Sequence, residues 1–308
     1  MQSLQFGIDL GGTKTELIVL DRDGKARFRQ RVSTPATNYN AIVQTITSLV
    51  SKAELELGVD ATSLGVGAPG TPFGSEGRLK NANTTCLIGK PLATDLRAAL
   101  GIPIVVENDA NCLVLSEAKD GAGANAAIVF GVILGTGVGG ALVINGKLVN
   151  GPNRIAGEWG HNPLPRWFDS KHGHPCPRRC YCGLDDCIET YLCGRGLIQT
   201  YNALLPSEPG QLTTHAIVHA AKAGQQPAQQ ALSQYFDALS DCLATVINVV
   251  DPDIIVFGGG LSQLPGLCES VHSRLPARVF GADMATRLAI AMHGDSSGVR
   301  GAAWLTEA

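Results

Sequence analysis

The chain has 308 residues, 44% of them hydrophobic and 17% charged, with a formal net charge of −3. That length suggests about two domains with enough apolar material for cores of their own. The balance excludes a large nucleic-acid surface, which needs clustered Lys and Arg, but leaves room for a local anion site.

In chain order, residues 1–5 carry no basic residue and Asp9 interrupts the first apolar run, so no export signal is expected. Residues 6–20, FGIDLGGTKTELIVL, read as strand, glycine turn, strand. Residues 39–57 read as a helix with Ile42, Ile46, Leu49, Val50 and Ala53 on one face. A strand at 63–68 ends at Pro69-Gly70. Another at 102–106 ends at Glu107-Asn108-Asp109, and a helix follows to about Lys119. Residues 125–146 carry no charge, which invites a membrane-helix reading. Glycines at 131, 135, 137, 139 and 140 favour two strands joined by a turn instead, so no membrane contact is expected. An irregular stretch at 151–187 precedes a helix at 228–250, a strand at 254–257 ending in Gly258-Gly259-Gly260, and a short helix at 296–305. Alternating strands and helices give an α/β fold. Residues 130–144, FGVILGTGVGGALVI, repeat the pattern of 6–20, and two copies suggest a duplicated domain.

The turn Asp9-Leu10-Gly11-Gly12-Thr13-Lys14 can hold phosphate. Small residues let backbone amides approach the oxygens, Thr13 adds a hydroxyl, Lys14 a charge, and Asp9 can hold Mg²⁺ through water. Its ordinary reading is a hairpin turn. Gly135-Thr136-Gly137-Val138-Gly139-Gly140 formally matches G-x-G-x-x-G, but a strand rather than a helix follows, which argues against a dinucleotide site. As a pair, the two turns can clamp a triphosphate. Asp109, between a strand and a helix, reads as an N-cap or as a base that takes a proton from a hydroxyl attacking phosphorus.

The nine cysteines, with no secretion signal, suggest a reducing, cytoplasmic compartment. Cys86, Cys112, Cys193, Cys242 and Cys268 read as small core residues. His161, Cys180, Cys182 and Cys187 make a complete Cys₃His set for tetrahedral zinc, with His172, His174 and Cys176 as alternative ligands. Such a metal would order a Pro-, Gly- and Arg-rich loop and fix Glu158, His161 and Glu189 relative to one another.

These motifs together resemble the ROK family of sugar kinases, within the actin/hexokinase/Hsp70 ATPase superfamily. The likeness covers essentially the whole chain. It rests on DLGGTK at 9–14, Pro69-Gly70, Glu107-Asn108-Asp109-Ala110-Asn111, Gly135-Thr136-Gly137, GEWGH at 157–161, the C-x-C-G cluster with Glu189, and Gly258-Gly259-Gly260. The resemblance implies a duplicated ribonuclease H-like, actin/hexokinase-type fold with an interdomain cleft. Its smaller domain would comprise 1–112 with 292–308, and its larger one 113–291. It implies Asp109 as catalytic base and sugar contacts from Gly70, Asn83, Asn108, Glu158, His161 and Glu189. ATP, with Mg²⁺, would be held by Asp9, Gly11, Gly12, Thr13, Lys14, Gly135, Thr136, Gly137, Gly259 and Gly260. Structural zinc would be held by His161, Cys180, Cys182 and Cys187. A homo-oligomer, such as a dimer, is the common state in the family.

Two positions depart from the family pattern. Asp186 replaces the glycine before the last zinc cysteine, and Cys86 replaces a tryptophan after the asparagine-rich segment 81–85. Lys80-Asn81-Ala82-Asn83, GEWGHNPLP at 157–165 and HGDSSGVRGAAWL at 293–305 look like the fructokinase/mannokinase branch. Arg178-Arg179-Cys180 and 262–265 look like N-acetylglucosamine kinases. The expected acceptor is fructose or mannose, with N-acetylglucosamine or glucose as alternatives. A catalytically inactive sugar sensor is the alternative of another class. A DNA-binding ROK repressor is not expected, since too few residues precede Asp9 for a helix-turn-helix.

Overall fold

The computed structural model describes residues 4–74, 76–80, 82, 84–165, 177–205 and 212–307. The chain divides into two compact units. The first is Met1–Asn125 with Val143–Ala156 and Ala291–Ala308; the second is Ala126–Leu142 with Gly157–Ile290. The boundary expected after residue 112 would cut through a continuous helix, Asp109–Asp120, and the division falls instead after Asn125.

The first unit is built on strands β1 (Gln5–Leu10), β2 (Lys14–Leu20), β3 (Ala26–Ser33), β4 (Leu64–Ala68) and β7 (Ile104–Asn108), with a small hairpin of β5 (Thr71–Phe73) and β6 (Arg78–Lys80). The sheet order is β3-β2-β1-β4-β7: an antiparallel meander on one side of β1, parallel strands on the other. β7 starts two residues later than the sequence suggests, after Pro103, which has no N–H to donate to a ladder. It runs on through Asn108, so Glu107 and Asn108 belong to the sheet. Helix α1 (Tyr39–Leu57) starts at Asn38, whose Oδ1 accepts Ala41 N at 3.1 Å, and stops at Gly58, which takes a left-handed φ of 65°. Its buried face is the set Ile42, Ile46, Leu49, Val50 and Ala53, packed with Phe6, Ile8, Leu17 and Val66 in the unit's core. Helices α2 (Leu92–Leu100) and α3 (Asp109–Asp120) flank β7.

The second unit carries β8 (Ile128–Leu134), β9 (Val138–Ile144), β11 (Ile254–Gly258) and β12 (Arg287–Ile290); the chain re-enters the first unit within β9, and Val143 and Ile144 pair with β10 (Lys147–Leu148). The order β10-β9-β8-β11-β12 repeats that of the first sheet, third-second-first-fourth-fifth in both, so the sequence repeat is a repeat of topology. The helices are α4 (Glu189–Leu192), α5 (Gly194–Asn202), α6 (Thr214–Lys222), the long α7 (Gln226–Val250) and α8 (Leu267–His272). Leu239 and Leu243 of α7 share a core with Val132, Ile255 and Phe257 of the sheet. Cys112, Cys193 and Cys242 are buried as expected, whereas Cys86 and Cys268 are half-buried.

The last helix, α9 (Ser297–Trp304), packs in the first unit on β1, β4 and α3. A Cβ on Gly7 would lie 2.3 Å from Ala303 N, one on Gly65 1.8 Å from Ala302 O, and one on Gly301 1.6 Å from Cys112 O. Backbone meets backbone at all three places, and no side chain fits. Fully buried Glu117 ties α9 to α3: Oε1 accepts His293 N and Ser297 Oγ at 3.0 Å, and Oε2 accepts Ala122 N and Met292 N at 2.9 Å. Four donors satisfy one buried carboxylate, the arrangement such a group requires. No described helix is long and apolar enough to cross a membrane.

Candidate active site

In the first unit, Gly11 N donates to Lys14 O at 2.9 Å and closes the turn after β1. Thr34 fastens it from the end of β3, with Thr34 N on Thr13 O at 2.9 Å and Thr34 Oγ1 on Gly11 O at 2.8 Å. Gly12, Thr13 and Lys14 are exposed, and the atom nearest to a Cβ on Gly12 would be Thr84 Oγ1 at 3.4 Å. Asp9, half-buried in β1, stands beside Gly298 of α9, where a Cβ would sit 3.3 Å from its Oδ2. Burial, then the charges of Asp109 and Glu16, push the Asp9 pKa up to about 6 against the pull of Arg31. Glu16 lies opposite Asp9 on β2, and Arg31 opposite Glu16 on β3. Burial alone would raise Glu16, but Arg29 at 2.5 Å and Arg31 at 2.6 and 3.0 Å hold it below the usual carboxylate range. Local sequence could not reveal this network, which depends on strand register.

Asp109 opens α3, but the cap is Asn108: its Oδ1 accepts Ala110 N at 2.8 Å, and its Nδ2 donates to Gly70 O at 3.2 Å. Gly70 has φ 87°, and a Cβ there would lie 2.4 Å from Lys80 O, so only glycine presents its carbonyl to Asn108. Asp109 Oδ1 also accepts Ala110 N at 2.8 Å. Its side chain reaches solvent, yet burial of its carboxylate among protein atoms still raises the pKa, outweighing the amide bonds. Asn83 lies outside the described residues.

In the second unit, Gly135 N donates to Gly137 O at 3.0 Å, and Gly135 O accepts Gly194 N from α5 at 2.9 Å. Glu189, which opens α4, accepts Val138 N on Oε2 at 2.9 Å. A Cβ on Gly137 would lie 2.5 Å from that oxygen. Trp159 crosses the following residues with Nε1 on Gly139 O at 2.8 Å, and a Cβ on Gly140 would lie 2.8 Å from its ring. Gly139-Gly140, part of the formal dinucleotide pattern, therefore makes room for a tryptophan. Sequence reasoning missed this, because nothing local links residues 140 and 159. Thr136 at the turn's tip is exposed. Gly259, with φ 80°, has Leu134 O where a Cβ would stand, at 2.4 Å, and Gly260 has open space.

Glu158, exposed, precedes the helical turn Trp159–His161. The His161, Cys180, Cys182 and Cys187 ligand atoms lie within 4.8 Å of one another. His161 Nδ1 is 3.6 Å from Cys180 Sγ, and Cys182 Sγ is 3.6 Å from Cys187 Sγ. A tetrahedron with Zn–S of about 2.3 Å and Zn–N of about 2.0 Å has edges of roughly 3.5–3.8 Å, so the donors fit zinc. A disulfide would need sulfurs about 2.05 Å apart. Leu184 N, first among several hydrogen bonds, lowers the pKa of exposed Cys182 to about 7, while burial pushes Cys187 up to about 12. His172, His174 and Cys176 lie outside the described residues.

Asp186 resolves the first departure from the family pattern. It takes φ 55° itself, a conformation Asp tolerates better than most residues. Its carboxylate then accepts Arg178 N at 2.8 Å and Tyr191 Oη at 2.7 Å. Buried Arg178 donates to Thr190 O, Gly196 O and Thr200 Oγ1 at 3.0, 3.2 and 2.9 Å and stacks on Tyr191. The side chain that replaces glycine thus helps join the metal loop to α4 and α5. His161 Nε2 pairs with Tyr181 Oη at 3.0 Å, so both ring nitrogens face protein groups.

The signature of the ROK family matches residues 5–308. An N-acetyl-D-glucosamine kinase of Salmonella gallinarum is 41% identical over 303 residues, covering 98% of this chain and 99% of that protein. A ROK hexokinase from Thermus thermophilus superposes with a TM-score of 0.85 at 28% identity, over 98% of this chain and 97% of its own. A ROK family glucokinase from Streptomyces griseus, solved with glucose and AMPPNP, gives 0.74 at 28% identity, over 98% of both chains. The chain belongs to the ROK family, as the resemblance implied, and its two α/β sheets match hexokinase-type structures of that family.

Proposed function

We propose that this protein is an ATP-dependent hexose kinase. The observation that carries the reading is Asp109: a carboxylate at the start of a helix, oriented by Asn108, near Asp9 and with a raised pKa. In this reading Asp109 takes the proton of a sugar hydroxyl as that oxygen attacks the γ-phosphorus, and the bond to the β–γ bridging oxygen breaks with release of ADP. The turn amides, Thr13 and Lys14 hold phosphate oxygens; Gly135, Thr136 and Gly137 do the same from the second copy, and Gly259 and Gly260 receive the adenosine. Gly70, Asn83, Asn108, Glu158, His161 and Glu189 orient the sugar. Mg²⁺, which Asp9 would hold through water, supplies charge neutralisation on the phosphates. Zinc on His161, Cys180, Cys182 and Cys187 would be structural, and one equivalent per chain by elemental analysis is the expected result. The chain would act as a homo-oligomer, which light scattering reads directly.

For the acceptor we favour fructose or mannose, supported by residues 80–83, 157–165 and 293–305. N-acetylglucosamine is the second reading, supported by the 41%-identical relative that carries that name. Incubation with MgATP and fructose, mannose, glucose and N-acetylglucosamine decides. Fastest turnover on fructose or mannose supports the first reading, and fastest on N-acetylglucosamine overturns it. No turnover on any of them overturns the kinase and leaves a sugar sensor.

A further inference from the structure

Arg178 is a charged side chain of the metal loop, only 6% exposed, that the proposed chemistry leaves unused. Its guanidinium closes a corner. Nη1 donates to Thr190 O of α4 at 3.0 Å and to Gly196 O of α5 at 3.2 Å, and Nη2 donates to Thr200 Oγ1, one turn further along α5, at 2.9 Å. The group stacks on Tyr191, 4.0 Å from the ring centroid. The corner is tight. A Cβ on Gly196 would lie 2.6 Å from the carbonyl oxygens of both Thr190 and Tyr191, so only glycine lets α5 start this close to α4. Carbonyl oxygens crowded at such a bend repel one another, and a cation between two of them removes the repulsion.

The same corner grips the second glycine turn from two sides. Before the bend, Glu189 Oε2 accepts Val138 N at 2.9 Å; after it, Gly194 N donates to Gly135 O at 2.9 Å. The spacing of those two grips is set by how α4 meets α5. Arg178, the corner and the turn all belong to the second unit.

We propose that Arg178 is a positioning residue for the nucleotide: it locks the corner between α4 and α5, and the corner, through Glu189 and Gly194, fixes the turn 135–138 that receives phosphate. The proposal rests on the hexose-kinase reading. Arginine suits the task because its planar fork reaches three acceptors in set directions, which an ammonium on a flexible stem does not.

The test compares steady-state kinetics and calorimetric MgADP binding in the wild type and three variants. Arg178→Lys keeps the charge and loses the fork. KM for MgATP should rise about tenfold, the scale of one hydrogen bond, and MgADP affinity should fall by a similar factor. Turnover should change less, because the loss is of binding shared by ground and transition states. Thr200→Val keeps the volume and removes one of the three acceptors, so it tests the corner even if Arg178→Lys does not fold. It should shift both nucleotide values the same way by a smaller factor, and Thr200→Ser, which restores the hydroxyl, should bring them back. Wild-type nucleotide values in the folded variants, with only a lower melting temperature, make Arg178 a stability residue and overturn the proposal. So does a nucleotide defect that added zinc repairs, which would place the effect on the metal site. If the wild type neither turns over a hexose nor binds MgADP, the kinase reading falls too, and the wild-type arm alone reveals that.

Discussion

At the first glycine turn, a side chain on Gly12 would meet nothing nearer than Thr84 Oγ1 at 3.4 Å; at the second, one on Gly137 would meet Glu189 at 2.5 Å and one on Gly140 would meet Gly131 O at 2.7 Å. The same strand–turn–strand unit has thus diverged. In the first copy Gly12 is exposed with room for a side chain, and Gly11 meets only its own turn, a Cβ there lying 2.9 Å from Lys14 O. The second keeps Gly137 and Gly140 small where protein packs, and Thr136 is the exposed residue at its tip. The cause is what each copy supports: the second carries Trp159 and Glu189 across its turn, and the first is clasped from behind by Thr34.

The largest effect expected is on the acid beside the first copy. Asp109→Asn should lower kcat by about 10²–10⁴-fold with sugar affinity nearly intact; near-native turnover would remove Asp109 as the base. The pH profile sharpens this. A base works deprotonated, so kcat/KM for the sugar should fall as pH drops through the Asp109 pKa. Because burial raises that pKa, the limb should lie above the ordinary 3.8. A limb at or below that value would contradict the electrostatic account.

The next pair of substitutions breaks the comparison itself. Gly12→Ala should leave the melting temperature alone and raise KM for ATP by about tenfold, the worth of a hydrogen bond to a charged oxygen. Gly140→Ala should cost about 1–3 kcal/mol of stability through overpacking against Trp159, read by thermal unfolding. If both lost stability equally, the two turns would not differ as described. The smallest effect falls on Asp186→Gly. Glycine keeps the left-handed turn but loses the bonds to Arg178 and Tyr191, about 1 kcal/mol. Zinc should be retained but released faster to a chelator, and unchanged release would show that the carboxylate is idle.

The strands of the two copies and the buried face of α1 were legible in the sequence because period and turn residues are local signals. The Cys₃His set was legible because chemistry restricts what such a cluster can do. Helices α2, α4, α5, α6 and α8 were missed because each is short, nine residues at most. The pairing of Glu16 with Arg29 and Arg31 needs strand register, and that of Gly140 with Trp159 needs a contact between residues far apart in sequence. The role of Asp186 was illegible for a different reason. A rule for glycine at a turn is a rule about φ, and Asp met the φ while adding two hydrogen bonds.

The backbone contacts of α9 with Gly7 and Gly65 and, through its own Gly301, with Cys112 set an order of events during synthesis. Residues 291–308 are translated after every residue of the second unit. The ribosome therefore finishes the later unit before the earlier one can close, and until Gly301 arrives the glycine-lined seam of β1 and β4 has no cover. The nascent first unit is the part that needs shelter. Pulse proteolysis of ribosome-held chains cut short after residue 296 and joined to a linker long enough to clear the exit tunnel should find it cut while 126–290 resists; equal resistance of both would show that the seam closes without its last helix.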